Sequence, residues 1–529
     1  MTRIDERVST HVYKVKRISK EEMESIAGVC VYDQPPFCNA ACPLKLDVKA
    51  MLKAAAENDF KKAFKIYESI APFPLILSAG CGAPCEEKCR LCELGDGIAI
   101  GDIERAVALS GGAGEKRSIF RVRKKKKAAV FGSGLFALLL AGELEKKGYP
   151  VTAICGEADE EEYLRVAAGF LREDDFYTEL KRLRGKDIAF EFNAEMTREL
   201  FEEKRGGFDV LCASEKAALD IFPGAVRDEG IMLMESEGLL TGGGETVLEA
   251  ALGARKAALT ADRLAQGIDP RSARGEEGPV TSRLYTNPDL ARGLIRIKGC
   301  ESGYTREQAA EEAGRCMQCH CDECLRGCAY LRRFNKHPGL LSREIYNNTQ
   351  IIMGDHPLNR AMNACALCGQ CTVTCPHGFD MAHVCRTARE NMVDTDKMPL
   401  AAHEFALLDM LFSNGEAYLC RKQPGHSHCR YVFFPGCQAA AIAPEAVIAA
   451  YEDLCTRLKG GVALMLGCCG AIAHWAGRGE MYGEVRDKIA AELAALEDPV
   501  IIAGCPSCMK LLSEQDMAET VGIWTVLRD

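Results

Sequence analysis

The chain has 529 residues, enough for three or four domains of ordinary size. Its formal net charge of −10 and pI of about 5.7 argue against nucleic acid as the main partner. No run of about 20 apolar residues exists, and the N-terminal stretch Met1 to Arg17 lacks the apolar core of a signal peptide, so no membrane span and a cytoplasmic location are expected.

The 28 cysteines are the outlier. Most fall in tight groups at 30–42, 81–92, 316–328 and 365–385, with a dispersed set at 437–508. Thiols two or three residues apart suit a shared metal centre. They suit disulfides poorly, because cross-links between such close neighbours are strained. The expected fold class is multidomain, α plus α/β. A helical iron–sulfur domain (1–120) precedes a degenerate FAD-binding Rossmann-like domain (121–268). A linker with a helical two-cluster ferredoxin module (269–400) and an α/β cysteine-rich domain (401–529) follow.

In chain order, Pro43 to Tyr67 reads as one amphipathic helix, with Val48, Met51, Leu52, Ala55, Phe60, Ala63, Phe64 and Tyr67 on recurring faces. Around it lie Cys38-x3-Cys42-Pro43, Cys81-x3-Cys85-x3-Cys89 and Ile100-Gly101-x2-Glu104-Arg105. These motifs resemble the N-terminal cluster domain of the glutamate synthase small subunit and of dihydropyrimidine dehydrogenase. By that likeness Cys42, Cys81, Cys85 and Cys89 bind one 4Fe–4S cube. The family's other cube would take Cys30, the residue at 33, Cys38 and Glu104; here position 33 is Asp33, and Cys92 is a spare thiolate.

The basic run Arg121 to Lys127 reads as a solvated linker. Next comes strand, tight turn and helix start, with Gly132, Gly134 and Ala137 forming a G-x-G-x-x-A dinucleotide turn aimed at a pyrophosphate. The resemblance to the flavin domain of the same enzymes continues through Phe208 to Ser214 and Thr246 to Ala250. It departs at Cys155, where the family has an acidic residue (Glu157 is displaced by two), and at Leu239, where it has aspartate. No second glycine turn follows between 160 and 300, so no nicotinamide domain is expected. This half is either a weak flavin site, with FAD as candidate cofactor, or a retained scaffold. Residues 269–299 read as a polar connector.

Cys365-x2-Cys368-x2-Cys371-x3-Cys375-Pro376 is the bacterial ferredoxin run, whose fourth thiolate serves a second cube. Its partner is Cys321-x2-Cys324-x3-Cys328. Regular spacing would want cysteine at Gln318, so Cys319 or Cys316 must serve instead. The expected sets are Cys319, Cys321, Cys324 and Cys375 for one cube, and Cys365, Cys368, Cys371 and Cys328 for the other. Cys300 and Cys385 read as packing residues.

Finally, Cys437, the vicinal pair Cys468 and Cys469, and Cys505 with Cys508 each end a predicted strand (Tyr431 to Phe434, Val462 to Leu466, Val500 to Ala503). FFPGCQ, LGCCGA, WAGR and GCPSC resemble the cysteine-rich CCG domain of heterodisulfide reductase catalytic subunits. In that family two such domains hold noncubane 4Fe–4S clusters that cleave a disulfide. The resemblance implies Cys437, Cys468, Cys469, Cys505 and Cys508 as a terminal catalytic cluster. It also implies partner subunits of a redox complex, one of them supplying a second cysteine-rich domain. His474 reads as a structural histidine beside the pair. The functional expectation is an oxidoreductase subunit that passes electrons through several 4Fe–4S clusters to that site. The alternatives are a non-catalytic electron-transfer adaptor and, third, an FAD-dependent pyridine nucleotide oxidoreductase.

Overall fold

A computed structural model of the chain describes residues 18–111, 123–272, 274–275, 277–299, 303–399 and 402–528. Part of the basic run and Cys300 lie outside the described residues. The chain divides into two compact units, Asp33 to Cys321 and a second made of residues up to Tyr32 with those from Asp322 onward. The architecture is multidomain, α plus α/β.

In the first unit, the single helix expected over 43–67 is two, Val48–Ala56 and Phe60–Glu68. Asn58 sits between them in the left-handed region (φ +59°), and Asp59 caps the second helix by accepting from the Lys62 amide. A short polar side chain that tolerates this conformation, followed by a good N-cap, stops one helix and starts the next. The apolar faces still meet: Met51, Ala55, Ala63 and Tyr67 are fully buried.

The sheet of this unit contains β1 (Ala128–Phe131), β2 (Val151–Ile154), β3 (Ile188–Glu191), β4 (Val210–Ser214), β5 (Leu233–Met234) and β6 (Leu239–Gly242). Their order is β3-β2-β1-β4-β6-β5, parallel except for the β5–β6 pair. The order reverses beside β1, the crevice where doubly wound sheets take ligands. Gly132 follows β1 with φ +83°, and a Cβ there would lie 2.5 Å from Ser214 Oγ and 2.7 Å from Ala217 Cβ. Gly134 has φ +102°, and Ala137 is fully buried. Beyond β2, Cys155 is buried, and a Glu157 carboxylate oxygen is buried without a partner. The Gly132 turn therefore has the backbone that a pyrophosphate needs. The helix Val247–Gln266 closes the sheet, entered through a Thr246–Glu249 capping box.

The connector has one regular element, the 3₁₀ turn Pro288–Leu290, yet it is no loose linker. Val280 N–H donates to Ala40 O, and the Ser282 hydroxyl to Pro35 O. Arg296 donates to Gly97 O, and the Asp96 amide to Leu294 O, where Gly95 leaves no room for a Cβ. The fully buried Glu312 accepts from the Ala99 and Ile297 amides (3.0 and 2.9 Å) and pairs with Arg315, which reaches on to Asp96 O. These bonds lay residues 280–299 and 303–316 along the N-terminal helices and bring Cys316 to them.

The second unit holds helices such as Pro338–Gln350 and Met381–Asp394, and a second sheet. Its strands are β7 (Leu419–Arg421), β8 (Tyr431–Phe434), β9 (Val462–Leu466), β10 (Val500–Ala503) and β11 (Thr520–Gly522), in the order β11-β10-β8-β9-β7. All neighbours are parallel except β7 and β9. Among the described residues no helix is long and apolar enough to cross a membrane.

Glu312→Ala would strand two buried amides and the Arg315 guanidinium. Breaking a buried pair of this kind costs about 3–5 kcal/mol. We expect a clear downward shift of the first thermal unfolding transition, read by calorimetry, while Glu311→Ala, one residue away, leaves it in place.

Candidate metal centres

The thiols are gathered in sets, and most are half-buried or buried. Among the described residues no three His, Cys, Asp or Glu side chains converge tightly enough to share a single ion.

In the first set Cys42, Cys81 and Cys85 surround Glu104. Cys42 follows the helix Phe37–Ala41 as its C-cap, and its sulfur accepts from the Leu46 amide at 3.4 Å. Gly82 and Ala83 both take positive φ (+68° and +45°), so the chain turns back and Cys85 faces Cys81. Burial first, then the Glu104 carboxylate, pushes the Cys81 thiol up to about 12, and the same causes push Cys85 higher still. Glu104 is 3% exposed; burial and then the Glu86 charge raise its carboxyl to about 8. The fully buried Tyr67 hydroxyl faces Glu104, with the three thiols around it. A donor set of three thiols and one carboxyl, with a tyrosine hydroxyl beside it, fits a bound iron–sulfur cube.

This set differs from the expected one. Glu104 stands where Cys89 was expected, and Cys89 lies instead with Cys38, Cys316 and Cys319. Cys30 is in neither group: it packs in the core of the second unit, with Cys324, Cys371 and Cys385. Cys92 is exposed, its thiol against Glu86 O.

In the ferredoxin module, Cys365 follows the helix Asn359–Ala364, Cys371 lies in Gln370–Thr374 and Cys324 in Glu323–Gly327. Cys371 has Cys365 and Cys328 as charged neighbours, the crossing that the ferredoxin pattern predicts. Leu367 takes φ +53°, and its N–H points at Cys365 Sγ (3.5 Å). Cys385, read as a packing residue, has a chemical role: its thiol hydrogen-bonds Cys365, which is lowered to about 7 chiefly by that bond, and the Tyr330 hydroxyl lies 3.6 Å from Cys385 Sγ.

Sequence reading gave no role to Arg389. It is 2% exposed and donates to Met362 O (2.8 Å), Cys365 O (2.5 Å) and Trp475 O (2.5 Å). It therefore clamps a ferredoxin-type loop to the cysteine-rich domain with no carboxylate partner. A Cβ on Gly477 would lie 2.6 Å from the Arg389 backbone, so glycine permits the approach. The exposed Cys368 opens on a cavity of about 200 Å³ lined also by Arg386, His474, Trp475, Ser507 and Lys510.

Five of the eight cysteines of the last domain, Cys437, Cys468, Cys469, Cys505 and Cys508, come together because β9, β8 and β10 are adjacent and parallel, so their C-terminal loops share one edge. Cys437, Cys468, Cys469 and Cys508 form a chain of sulfur–sulfur contacts. Gly436 (φ +85°) completes the cradle: a Cβ there would lie 3.2 Å from Cys505 Cβ and 3.3 Å from Cys508 Sγ. Asn414 grips the vicinal pair, accepting from Cys468 N–H (2.9 Å) and donating to Cys468 O (3.1 Å). His474 stacks near Tyr482 and contacts Arg386, and burial and that cation hold its pKa below the usual value.

Family comparison agrees with this geometry. Residues 7–112 match the dihydropyrimidine dehydrogenase domain II 4Fe–4S cluster model. Residues 315–380 match a 4Fe–4S dicluster domain, and residues 431–513 a cysteine-rich domain. The chain is an iron–sulfur electron-transfer protein. Among similar proteins, the NADPH-Fe(3+) oxidoreductase subunit beta of Geobacter sulfurreducens is 28% identical over 230 residues, 41% of this chain and 33% of that one. The NADP(+)-dependent formate dehydrogenase subunit beta of Moorella thermoacetica is 28% identical over 25% of this chain and 21% of its own length. The small chain of glutamate synthase [NADPH] from Azospirillum brasilense is 29% identical over 26% and 29% respectively. The chain thus spans a third or less of the curated relatives it matches.

Glu104→Ala removes the one non-sulfur donor of the first set. In anaerobically prepared protein we expect it to abolish or convert one 4Fe–4S EPR signal and to leave the ferredoxin-type signals unchanged.

Proposed function

We propose that this chain is the electron-carrying subunit of a heterodisulfide reductase-like redox complex. Electrons enter from a partner, run through the N-terminal and ferredoxin-type cubes, and reach the cysteine-rich domain. The observation that carries this reading is the Arg389 clamp, which joins a ferredoxin-type ligand loop to the domain bearing the five cysteines. Direct contact through one buried cation suits electron transfer between two centres, and the positive charge favours the reduced form of the cube it touches.

In this reading the chain has four domains, 1–120, 121–268, 269–400 and 401–529. Cys42, Cys81, Cys85 and Glu104 hold one cube, and Cys365, Cys368, Cys371 and Cys328 a second. Cys321, Cys324 and Cys375 belong to a third, with half-buried Cys30 the candidate for its last corner. Cys437, Cys468, Cys469, Cys505 and Cys508 hold the terminal cluster, whose iron supplies the redox chemistry when bound. The protein's own groups orient it: Asn414 fixes the vicinal backbone, and His474, Arg386 and Lys510 line the neighbouring cavity with polar and basic groups. The Gly132 turn supports FAD as a candidate cofactor of the second domain. A partner subunit contributes the second cysteine-rich domain, and the redox subunits named among the relatives are the model for that assembly.

Two variants test the path. Cys468→Ala should remove one unusual EPR signal and keep the ferredoxin-type signals; loss of no signal would sink the terminal assignment. Arg389→Met should lower the midpoint potential of one ferredoxin-type cube by on the order of 50 mV, about tenfold in a one-electron equilibrium. Redox titration followed by EPR reads that shift.

A further inference from the structure

We infer that Cys38, Cys89, Cys316 and Cys319 hold a further 4Fe–4S cube, two of whose thiolates return from beyond the Rossmann-like domain. The inference rests on the iron–sulfur reading of the N-terminal domain and adds a site to it.

The four thiols come from three distant segments and lie against one core. Cys38 lies near Cys316, Cys319 and Cys89, and Cys316 near Cys319 and Cys89. The loop that brings the last two has a cluster-binding shape. Gln318 takes φ +51°, uncommon for a residue with a Cβ, and its N–H faces the Cys316 sulfur. Leu367 does the same in the ferredoxin run: φ +53°, its N–H on Cys365 Sγ. Cys316-x2-Cys319 thus repeats the turn of Cys365-x2-Cys368, in another unit of the molecule. Such strain persists where surroundings require it.

A second observation is independent of the loop. Thr286 is 3% exposed, and its hydroxyl faces the Cys319 sulfur. A buried hydroxyl turned toward sulfur is better satisfied by an electron-rich ligated thiolate than by a neutral thiol. Lys49 adds a cation at the same place, its ammonium donating to Cys319 O at 2.9 Å, while the Gln318 amide donates to Cys316 Sγ at 3.4 Å. The Glu312, Arg315 and Arg296 bonds hold the returning segment in position.

The cube has a place in the relay. Cys38 and Cys42 lie four residues apart and serve adjacent sets, and Cys85 is within electrostatic reach of Cys38. On the other side, Cys321 follows Cys319 by two residues, so their Cα atoms are at most about 7 Å apart. The cube is thus tied covalently to the first ligand of the ferredoxin-type pair.

The test compares Cys38→Ser, Cys316→Ser and the double variant in full-length protein prepared without air, by iron, zinc and sulfide analysis and by EPR. We expect each to remove or shift the same single signal. The double variant should lack about four irons relative to wild type, one cube's worth, and not eight. Different signals lost from the two single variants, a loss of about eight irons in the double, or zinc in wild type that disappears with Cys316 would overturn the inference. An iron-free wild type would defeat the broader reading instead. Thr286→Val guards against misfolding of the serine variants. It should keep full iron and shift the g values of that same signal; unchanged g values would count against the site.

Discussion

Thiols buried side by side cannot all carry charge unless a cation joins them. Burial, then the Glu104 carboxylate, pushes Cys81 up to about 12, and burial pushes Cys316 up to about 11. At Cys468 the contact with Cys437 pulls down, but the contact with Cys469 and burial outweigh it and hold the thiol near 11. Without metal these sites are sets of neutral thiols, each a poor hydrogen-bonding partner for the polar groups around it. Iron replaces the protons and draws sulfurs into one charge-balanced unit, so metal binding and folding of these loops are one process. The buried carboxyl of Glu104, faced by the Tyr67 hydroxyl, and the Thr286 hydroxyl beside Cys319 belong to the same pattern.

Different folding devices bring the donors together. In the cysteine-rich domain the device is topology. Three adjacent parallel strands end at one edge, and glycines let the loops approach. In the N-terminal unit it is a strap. Residues 280–299 and 303–316 are held by bonds to backbone groups of the helices beneath, and the thiols arrive at their end. In the ferredoxin module it is local sequence, with short helices that place every third or fourth residue on one side.

That difference explains what could be read in advance. The strands β8, β9 and β10 and the Gly132 turn were legible because short apolar runs and glycine spacing are local signals. The five-cysteine edge followed from them. The split at Asn58 was signalled by Asn-Asp but outvoted by apolar periodicity. The exchange of Cys89 for Glu104 was not legible: motif spacing groups neighbours, while the fold divides Cys85 from Cys89 and Cys38 from Cys42 between two sets. The strap looked like a linker because its order comes from Glu312, Arg315 and Arg296 bonding to backbone, which leaves no periodic trace. Arg389 gave no signal either, since its role depends on carbonyls far away in sequence.

The most direct measurement is total iron and acid-labile sulfide per chain after anaerobic purification, with zinc measured on the same sample. Four cubes and a terminal cluster predict about 20 irons with matching sulfide and a brown protein. A colourless chain, or stoichiometric zinc in place of iron, would contradict the account.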